Sequence, residues 1–421
     1  MVDVKAGMHG SNRLIIFDVE GVLVPKRRYL LFETAKKVGL RGFIKIIAVG
    51  VLYEVGLLSL ESALRKIFKV LRGLTTSDIF QLYEGIPLMP GVEEVFERLN
   101  KVGYKTALIS SGLPKLLVKD LAARLGVDYA FGLELETANG RLTGEIGGDV
   151  LKPDGKAIVL KKNLEKEGLS SQDCVVVADD RNNLPMFRLC TLRVGYNPDF
   201  LLSAKSDFVV SGDLSEILPI VTENVLQVPS SPLSRSEIIR EIIHVGSFLV
   251  PFICIYLLET YLVFLLILLA TSLYSASEVA RLRGINLPLI STITWKAANE
   301  PEYYEFATAP ISFALGIMFS LILFPAPASY ASIAILTLGD GFATIFGRKF
   351  GSATFPFNKG KKVEGSVFGF LFASVGAMLF VDPVKALVGA ATGMLAECLP
   401  LPLSDNLTIP LASGLVLTTI L

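Results

Sequence analysis

The feature that most constrains the fold is Phe306–Gly339, a stretch of 34 residues without a single Asp, Glu, Lys or Arg. A membrane-spanning helix needs about 20 apolar residues, so this stretch is long enough for two spans. Pro325 and Pro327 mark the break between them. Further runs without these charged residues are 242–258, 260–277, 366–381, 386–396 and 407–421. The sequence therefore predicts an all-α polytopic membrane domain of about seven helices over residues 238–421.

The remainder of the chain is predicted to form a domain of its own. Residues 222–237 contain Pro229-Ser230-Ser231-Pro232 and are predicted to be a linker, because the composition changes sharply there. The chain of 421 residues is too long for one ordinary domain, so residues 1–221 are assigned to a separate one. Lys plus Arg and Asp plus Glu both number 40, and this balance gives no argument for a nucleic-acid partner.

Three features of the sequence predict the cellular location of the protein and its orientation in the membrane. Residues 1–13 have no apolar core, so no signal peptide is expected and the N-terminal domain should stay in the cytoplasm. With that domain inside, Lys and Arg concentrate on the loops predicted to face the cytoplasm, as the positive-inside rule requires of a multi-pass protein of the cell membrane. The four cysteines are scattered, which argues against a zinc site or a disulfide framework and fits a reducing compartment.

The N-terminal domain is organised around Leu14–Leu23, in which four apolar residues lead directly to Asp18 and Glu20 and then to Gly21. Such a run is typical of a buried parallel strand whose carboxyl end delivers the two acids to a crevice. Alternate strand positions point the same way, so the two carboxylates could share a metal or divide the roles of nucleophile and acid. The alternative is a strand end with two solvated acids.

Later strands supply candidate partners for this pair. Lys105–Ile109 leads into Ser110-Ser111-Gly112, where a hydroxyl and backbone N–H groups can hold a phosphate oxygen; a helix N-cap is the alternative. Cys174–Ala178 is a second predicted strand, which delivers Asp179 and Asp180. Two more strands and a hairpin are predicted at 192–195, 207–210 and 133–148. Together these strands predict an α/β Rossmann-like sheet.

A helical cap insert is predicted between the first two strands, over about residues 26–88. Its most apolar part, 43–60, is interrupted by Lys45 and Glu54, so a packed helix is favoured over a membrane span. An amphipathic face lying on a membrane surface is the alternative.

The residue types at these strand ends suit one reaction. An aspartate nucleophile, an acid two positions on, a serine, a lysine and an acidic metal cluster are what phosphoryl transfer through an aspartyl-phosphate requires. Mg²⁺ prefers hard oxygen ligands, and a lysine adds positive charge where phosphate would bind. The domain is therefore predicted to hydrolyse a small phosphomonoester with Mg²⁺.

In this order the residues resemble the haloacid dehalogenase superfamily, and within it the phosphoserine phosphatase branch, over about residues 12–215. The stretches that carry the resemblance are Met89–Glu94, 103–105, 108–112 and Ala178–Met186. The resemblance implies catalytic roles for Asp18 as nucleophile, Glu20 as general acid/base, Ser110 as phosphate ligand, and Lys156, whose spacing fits better than that of Lys152. It also implies a metal site of Asp18, Glu20, Asp179 and Asn183, and substrate contacts by Arg27, Arg65 and Gly112.

Three departures from the family pattern bear on the metal and the substrate. Glu20 stands where most of the family has aspartate. Ala178–Asn183 reads A-D-D-R-N-N where the family writes G-D-G-x-N-D, so Asn183 replaces the last acid of the metal site. Arg27, beside Arg28, occupies the place of a cap glutamate that binds the substrate's ammonium in phosphoserine phosphatases. Two cations repel an amino group, which favours a more anionic substrate.

Polar residues also lie in and beside the predicted spans, where their burial cost makes them functional candidates. Asp340 precedes a glycine-rich, basic segment that reaches Lys361 and Glu364. Such a segment, bracketed by two acids, can cradle phosphates while the acids hold Mg²⁺. The alternative for each residue alone is an interfacial anchor or a snorkelling lysine. The candidate second site comprises Arg240, His244, Glu278, Asp340, Gly347, Gly351, Lys361, Glu364, Asp405 and Asn406.

From about Arg240 to the C-terminus the chain resembles the dolichol kinase and phytol kinase family. The stretches that carry this second resemblance are Arg240–Gly246, Glu278–Arg281, Gly339–Ser366, Glu397–Pro400 and Asp405–Pro410. It implies CTP as phosphoryl donor, Mg²⁺ as cofactor and a polyprenol-type lipid alcohol as acceptor. The chain is thus expected to be bifunctional. Two alternatives stay open: the membrane half only anchors the phosphatase and binds lipid, or the N-terminal half is a degenerate regulatory domain.

Overall fold

The structure is a computed structural model that describes residues 14–26, 28–54, 57–84, 86–152, 154–223, 235–282, 306–401 and 403–420. The chain divides into two compact units, Met1–Val225 and Leu226–Leu421. Residues 224–234, which make up most of the predicted linker, lie outside the described residues.

The first unit alternates strands with helices. In chain order its elements are β1 (Leu14–Asp18), α1 (Arg28–Glu54), α2 (Leu60–Val70), α3 (Thr76–Glu84), α4 (Val92–Val102), β2 (Lys105–Pro114), α5 (Lys115–Leu125), β3 (Tyr129–Ala138), β4 (Arg141–Gly147), α6 (Gly155–Glu167), β5 (Cys174–Ala178), α7 (Leu184–Phe187), β6 (Leu192–Tyr196), α8 (Phe200–Ser203), β7 (Phe208–Val210) and α9 (Leu218–Glu223). The strands form one sheet in the order β4-β3-β2-β1-β5-β6-β7. All neighbours pair in parallel except β3 and β4, which are antiparallel.

The apolar runs that predicted buried strands lie at the centre of this sheet. Every residue of β1 and of β5 is buried. Because β2, β1 and β5 are adjacent and parallel, their carboxyl ends meet at one edge of the sheet, where open α/β sheets bind ligands. The helices α1, α2 and α3 come between β1 and β2. The prediction of a Rossmann-like sheet with a helical insert is confirmed.

The predicted hairpin is present as β3 and β4. Its turn consists of Asn139 and Gly140, whose φ angles are 52° and 73°. Both angles lie in the left-handed region that an Asn-Gly pair adopts readily, and this is why the pair marks a two-residue hairpin turn in the sequence.

Cys174 and Cys190 form a disulfide, so the prediction against disulfides was wrong for this pair. Cys174 begins β5, and Cys190 follows α7 by a short turn that brings the chain back beside the start of the same strand. The two Cα atoms lie 5.0 Å apart although 16 positions separate the residues in sequence. The spacing of cysteines along a chain does not reveal such a return, which depends on how α7 packs against the sheet.

The second unit is helical, apart from one small hairpin, over the residues that the structure describes. Its elements are α10 (Arg235–Gly246), α11 (Val250–Tyr256), α12 (Thr260–Leu282), α13 (Ala309–Leu323), α14 (Ala328–Ala334), α15 (Gly341–Phe350), β8 (Thr354–Phe355), β9 (Asn358–Lys362), α16 (Val363–Ala377), α17 (Pro383–Cys398) and α18 (Asp405–Ile420). A π-helical stretch, Ile335–Asp340, joins α14 to α15. Fully buried alanines such as Ala331, Ala373 and Ala390 lie in the core of the second unit, where small side chains let helices approach closely.

Three helical segments of the described part are long and apolar enough to cross a membrane: Glu237–Tyr256, Thr260–Arg281 and Ala328–Phe350. They are compatible with the predicted membrane domain. The apolar helices α13 and α16 are shorter, at 15 residues each. The count of about seven spans therefore stays a prediction, as does the orientation of the chain in a membrane.

Candidate functional site

The first candidate site lies at the carboxyl ends of β2, β1 and β5 and is centred on Asp18. This last residue of β1 is 3% exposed. Its Oδ1 accepts a hydrogen bond from the backbone N–H of Val19 at 2.8 Å. Its Oδ2 accepts one from Lys156 Nζ at 2.7 Å and one from Asn183 Nδ2 at 2.6 Å. Lys156 Nζ also donates to Asn183 Oδ1 at 2.8 Å, so the three side chains form a closed network.

Asp18 and Lys156 form an ion pair that is almost completely removed from solvent. Burial raises the pKa of Asp18, and the Lys156 ammonium opposes that rise. Burial would lower the pKa of Lys156, but the charges of Asp18 and Asp180 outweigh it and hold that pKa above its ordinary value. Loss of either partner would leave an uncompensated buried charge, so each stabilises the other in place.

Glu20 and Ser110 form a second polar contact at this edge of the sheet. Ser110 Oγ donates to Glu20 Oε2 at 3.0 Å and accepts from the backbone N–H groups of Gly112 and Leu113 at 3.2 and 2.8 Å. Ser110 lies inside β2 and does not cap a helix. A Cβ on Gly112 would lie 2.5 Å from both carboxylate oxygens of Glu20. Only glycine at position 112 therefore leaves Glu20 where it is.

Asp179 lies at the start of the loop that follows β5 and is 2% exposed. Its Oδ2 pairs with Lys26 Nζ at 2.8 Å, while its Oδ1 has no hydrogen-bond partner in the described part of the chain. Burial raises the pKa of Asp179 to about 8, although the Lys26 charge opposes the rise. Asp18, Asp179 and Asp180 each offer a carboxylate oxygen, and these three oxygens lie within 4.8 Å of one another.

This acidic cluster fits a Mg²⁺ ion. Its donors are hard carboxylate oxygens, which Mg²⁺ prefers. The buried, unpartnered oxygen of Asp179 needs a positive partner that a divalent cation would supply. Two further residues predicted at the metal make other contacts, since Glu20 accepts a hydrogen bond from Ser110 and the Asn183 oxygen accepts one from Lys156. Their roles at a metal stay predictions.

Two residues of this site were given no role by the sequence, although Asp180 was predicted to lie beside Asp179 at the end of a strand. Asp180 stands directly beside Asp179, and that second acid after a buried strand was the available signal. Lys26 stands at the predicted start of the cap, and no sequence pattern indicates that it pairs with Asp179.

Of the two arginines predicted to contact substrate, the structure describes one. Arg65 lies on α2, where its Nε and one terminal nitrogen donate to Glu61 Oε1 at 2.9 and 2.8 Å. Its other terminal nitrogen donates to the carbonyl oxygen of Ile146 at 2.9 Å. Arg27 lies outside the described residues. Contact of either arginine with a substrate therefore stays a prediction.

The second unit contains its own acidic cluster, arranged around Lys361. The carboxylates of Asp340, Glu397 and Asp405 offer oxygens within 4.8 Å of one another. Lys361 Nζ lies 2.6 Å from Glu397 Oε1 and 2.6 Å from Asp405 Oδ2. Burial would lower the pKa of Lys361, but the three carboxylates outweigh it and raise that pKa. Glu397 was missed as a site residue, although it begins one of the stretches that suggested the second resemblance.

The helix α10 adds polar groups next to this cluster. His244 Nδ1 lies 3.4 Å from Asp340 Oδ2, and its ring stacks on Phe313 with centroids 4.0 Å apart. Glu241 is 3% exposed, and its Oε1 lies 3.6 Å from Arg240 Nε. Its Oε2 has no hydrogen-bond partner among the described residues. Buried polar groups of this kind are costly in an apolar unit, so they mark a functional candidate.

Two predicted second-site acids take part in different contacts. Glu278 is fully buried, pairs with Arg281 at 2.7 Å and accepts a hydrogen bond from the backbone N–H of Ala307 at 3.2 Å. Glu364 accepts one from Ser352 Oγ at 2.5 Å, beside the hairpin of β8 and β9. Participation of these two acids in a nucleotide site stays a prediction.

The predicted phosphate-binding glycines lie where α15 and α16 pack closely. A Cβ on Gly347 would lie 3.5 Å from Gly365 Cα, which is an ordinary contact, whereas one on Gly351 would lie 2.2 Å from the carbonyl oxygen of Gly347 and 2.7 Å from Lys362 Cγ. The turn at the end of α15 therefore accounts for glycine at 351, whereas a Cβ would be tolerated at 347. A phosphate-binding role for either glycine stays a prediction. Asn406 Nδ2 donates to Ser312 Oγ at 3.3 Å, while its Oδ1 is buried without a partner in the described ranges.

Known proteins resemble the part of the chain that carries the first site. Residues 15–188 match the family described as haloacid dehalogenase-like hydrolase. The phosphoserine phosphatase of Methanocaldococcus jannaschii is 31% identical over 215 residues, which are 51% of this chain and 100% of that protein. The phosphoserine phosphatase of Archaeoglobus fulgidus is 32% identical over 221 residues, which are 52% of this chain and 61% of that protein.

One solved structure, of a phospho-aspartyl intermediate analogue of phosphoserine phosphatase, is 31% identical, covers 49% of this chain and 98% of that chain, and has a TM-score of 0.45. The family match covers the strands β1 to β5, the helical insert and the strand ends described above. Through its N-terminal unit, the chain belongs to the haloacid dehalogenase-like hydrolase family.

Proposed function

We propose that the N-terminal unit is a phosphatase that hydrolyses a small phosphomonoester through an aspartyl-phosphate on Asp18. The observation that carries the proposal is the buried contact of 2.7 Å between Asp18 and Lys156 at the end of β1. It orients a carboxylate at the edge of the sheet and keeps positive charge beside it. A nucleophilic carboxylate needs this arrangement because the attacking oxygen and the phosphoryl group are both negative.

In the first step, a carboxylate oxygen of Asp18 forms a bond to phosphorus while the ester P–O bond breaks, and Glu20 gives its proton to the leaving oxygen. In the second, Glu20 takes a proton from water, whose oxygen attacks phosphorus and releases Asp18 as a carboxylate. Ser110 Oγ donates to a phosphoryl oxygen in place of Glu20, and Lys156 offsets developing charge. Mg²⁺, held by Asp18 and Asp179, would neutralise charge between the nucleophile and the phosphate.

The similar proteins named phosphoserine phosphatase suggest a phosphorylated hydroxy acid as the substrate class. By its spacing in the sequence, Arg27, beside Arg28, corresponds to the cap glutamate that binds the ammonium of phosphoserine in that family. We therefore propose an anionic phosphomonoester without an ammonium group as the preferred substrate. A phosphorylated lipid headgroup or a prenyl phosphate is within that class.

A matched pair of substrates tests this proposal on the full chain. Phosphoserine and the phosphoglycerate in which a hydroxyl replaces its ammonium differ at that one group. We expect the phosphoglycerate to have the higher kcat/KM, by about fivefold or more, since a unit charge at about 4 Å changes the energy by about 1 kcal/mol in water. Arg27→Glu should reverse the order. Preference of the unaltered chain for phosphoserine would contradict the substrate proposal, and no hydrolysis of any phosphomonoester would contradict the phosphatase itself.

We also propose a second activity for the membrane unit, namely transfer of phosphate from CTP to a polyprenol-type lipid alcohol. Three carboxylates gathered around a buried lysine support it, because phosphoryl transfer needs a metal site and positive charge for the triphosphate. An anchor that only binds lipid has no use for such a cluster at this cost of burial. The competing proposal is that this unit is an anchor and that the phosphatase is the one activity.

The second activity has a direct test in membranes that contain the full chain. In an Asp18→Asn background, which protects any product from the phosphatase, label from CTP should appear on an added prenol. Asp340→Asn should reduce that transfer by about 100-fold or more, as loss of a group that holds a metal does. Asp382→Asn is the matched control, because an asparagine can still cap α17 and the transfer should persist. Transfer that survives Asp340→Asn, or no transfer in its parent, would reject this site as a kinase.

A further inference from the structure

We propose that Asp180 is a metal ligand of the phosphatase site and supplies the carboxylate that is missing at position 183. The proposal rests on the proposed function to the extent that the metal serves that reaction. It concerns a residue at which the related family has glycine, so it describes a different way of building the site.

The sequence shows an exchange of acids within six positions. Where the family writes G-D-G-x-N-D, this chain has A-D-D-R-N-N over Ala178–Asn183. Both versions carry two acids, and one of them, Asp179, stays in place. The second has moved from position 183 to position 180. The total negative charge available to a cation is therefore unchanged.

The geometry places the moved acid where a metal would need it. A carboxylate oxygen of Asp180 lies within 4.8 Å of ligand oxygens of Asp18 and Asp179. Oxygens that bind one Mg²⁺ at about 2.1 Å lie up to about 4.2 Å apart, so the three carboxylates are close to the spacing that one ion requires. The buried Oδ1 of Asp179, which has no hydrogen-bond partner in the described part of the chain, independently marks a place for a cation.

The carboxylate of Asp180 has an acceptor position left with which it could bind a metal ion. Its Oδ1 accepts from the backbone N–H of Asn182 and from Asn183 Nδ2, both at 3.0 Å, and its Oδ2 accepts from Asn182 Nδ2 at 3.0 Å. A carboxylate has about four lone-pair positions. Three donors hold the group in one orientation and leave about one position open.

Asn183 makes hydrogen bonds to the neighbouring side chains of the site. Its amide nitrogen donates to Asp18 Oδ2 at 2.6 Å and to Asp180 Oδ1 at 3.0 Å, while its oxygen accepts from Lys156. An aspartate could not donate to either carboxylate and would add a negative charge beside both. The asparagine thus links the nucleophile to Asp180, and this explains why the two changes occur together.

A purely structural role for Asp180 is the competing explanation, because its side chain also caps the short turn Arg181–Asn183. Asparagine and aspartate are about equally good caps, and glycine costs only a few tenths of a kcal/mol more. Asp180→Asn therefore removes the charge and keeps the cap. The double variant Asp180→Gly/Asn183→Asp restores the family arrangement.

The test measures Mn²⁺ binding to the full chain in detergent, from the free-ion signal in electron paramagnetic resonance. Every protein in this comparison carries Asp340→Asn, so that the cluster of Asp340, Glu397 and Asp405 contributes equally to Mn²⁺ binding in all of them. We expect Asp180→Asn to weaken Mn²⁺ affinity by about 10-fold to 100-fold, and the double variant to recover it to within about twofold of the parent. Asp173→Asn, which changes an acid outside the cluster, is the control and should bind as the parent does.

The outcome is independent of catalysis, because Mn²⁺ binding is measured without substrate. The Mg²⁺ concentration for half-maximal phosphatase activity should rise in parallel for Asp180→Asn. Parental Mn²⁺ affinity in Asp180→Asn would overturn the proposal, and so would failure of the double variant to recover it. A lower melting temperature without metal, at unchanged affinity, would assign Asp180 to the turn alone.

Discussion

Replacing Asp18 with asparagine is expected to abolish phosphate release from p-nitrophenyl phosphate, with a loss on the order of 10⁴-fold or more. Asparagine has nearly the shape of aspartate and can still accept a hydrogen bond from Lys156, which lies 2.7 Å from Asp18 Oδ2. It lacks the anionic oxygen that would form the aspartyl-phosphate. The change therefore removes the nucleophile and keeps its shape, while Lys156 stays behind as a buried charge without its carboxylate partner. Initial rates on the full chain, with Mg²⁺ present, measure the effect.

Asp173→Asn is the matched control for that experiment, because it removes a half-buried acid outside the cluster that accepts hydrogen bonds from Ser170. We expect it to retain the parental rate. Equal phosphate release from the parent and from Asp18→Asn would refute Asp18 as the nucleophile. A melting temperature of Asp18→Asn that stays above the assay temperature would show that the lost activity does not come from unfolding.

Replacing Lys156 with methionine is expected to cost both activity and stability. Methionine keeps the apolar stem but removes the ammonium group that contacts Asp18 and Asn183 at 2.7 and 2.8 Å. Asp18 would then be a buried charge without its partner, and breaking such a pair costs about 3–5 kcal/mol. The phosphoryl charge would also lose its stabilising cation, which lowers kcat by about 10²-fold to 10³-fold. Chemical denaturation and initial rates measure the two effects.

Lys152→Met tests whether the position of the lysine matters. Lys152 stands four residues earlier and pairs with Asp149 at the surface, at 2.6 Å. Surface changes of this kind stay within about 0.5 kcal/mol, so stability and activity should resemble those of the parent. Equal losses in both lysine variants would contradict the assignment of Lys156.

The double variant Asp18→Asn/Lys156→Met separates the effect of the unpaired charge on stability from the effect of lost packing. It should be more stable than Lys156→Met alone, because the unpaired carboxylate is gone. Strict additivity of the two changes would mean that the ion pair contributes no coupling energy and that the loss in Lys156→Met comes from packing.

Local sequence patterns determined much of the first unit. The apolar runs before Asp18 and Asp179 are buried strands, and an Asn-Gly pair forms the turn of the hairpin. These features depend on neighbours within a few positions, so periodicity and turn preferences reveal them. Once the two strands were recognised, the adjacency of their carboxyl ends followed from the rules of parallel sheets.

Contacts between distant positions were decided by the tertiary structure. The disulfide of Cys174 and Cys190, the pairing of Lys26 with Asp179 and the place of Glu397 beside Lys361 all join residues that no local pattern connects. Each depends on where a helix or loop returns to the site, and that is set by the packing of whole elements.

The sequence by itself predicted the residues of the first site. Asp18, Glu20, Ser110 and Asp179 stand at or near ends of predicted strands, and Lys156 stands at the start of a helix. Only the tertiary structure decided the arrangement of its charges. It gathered Asp180 with Asp18 and Asp179 and joined Asn183 to both Asp18 and Lys156. The physical reason is that buried strands follow from the hydrophobic pattern along the chain, whereas the partner of each buried charge depends on distances of a few ångströms that no pattern encodes.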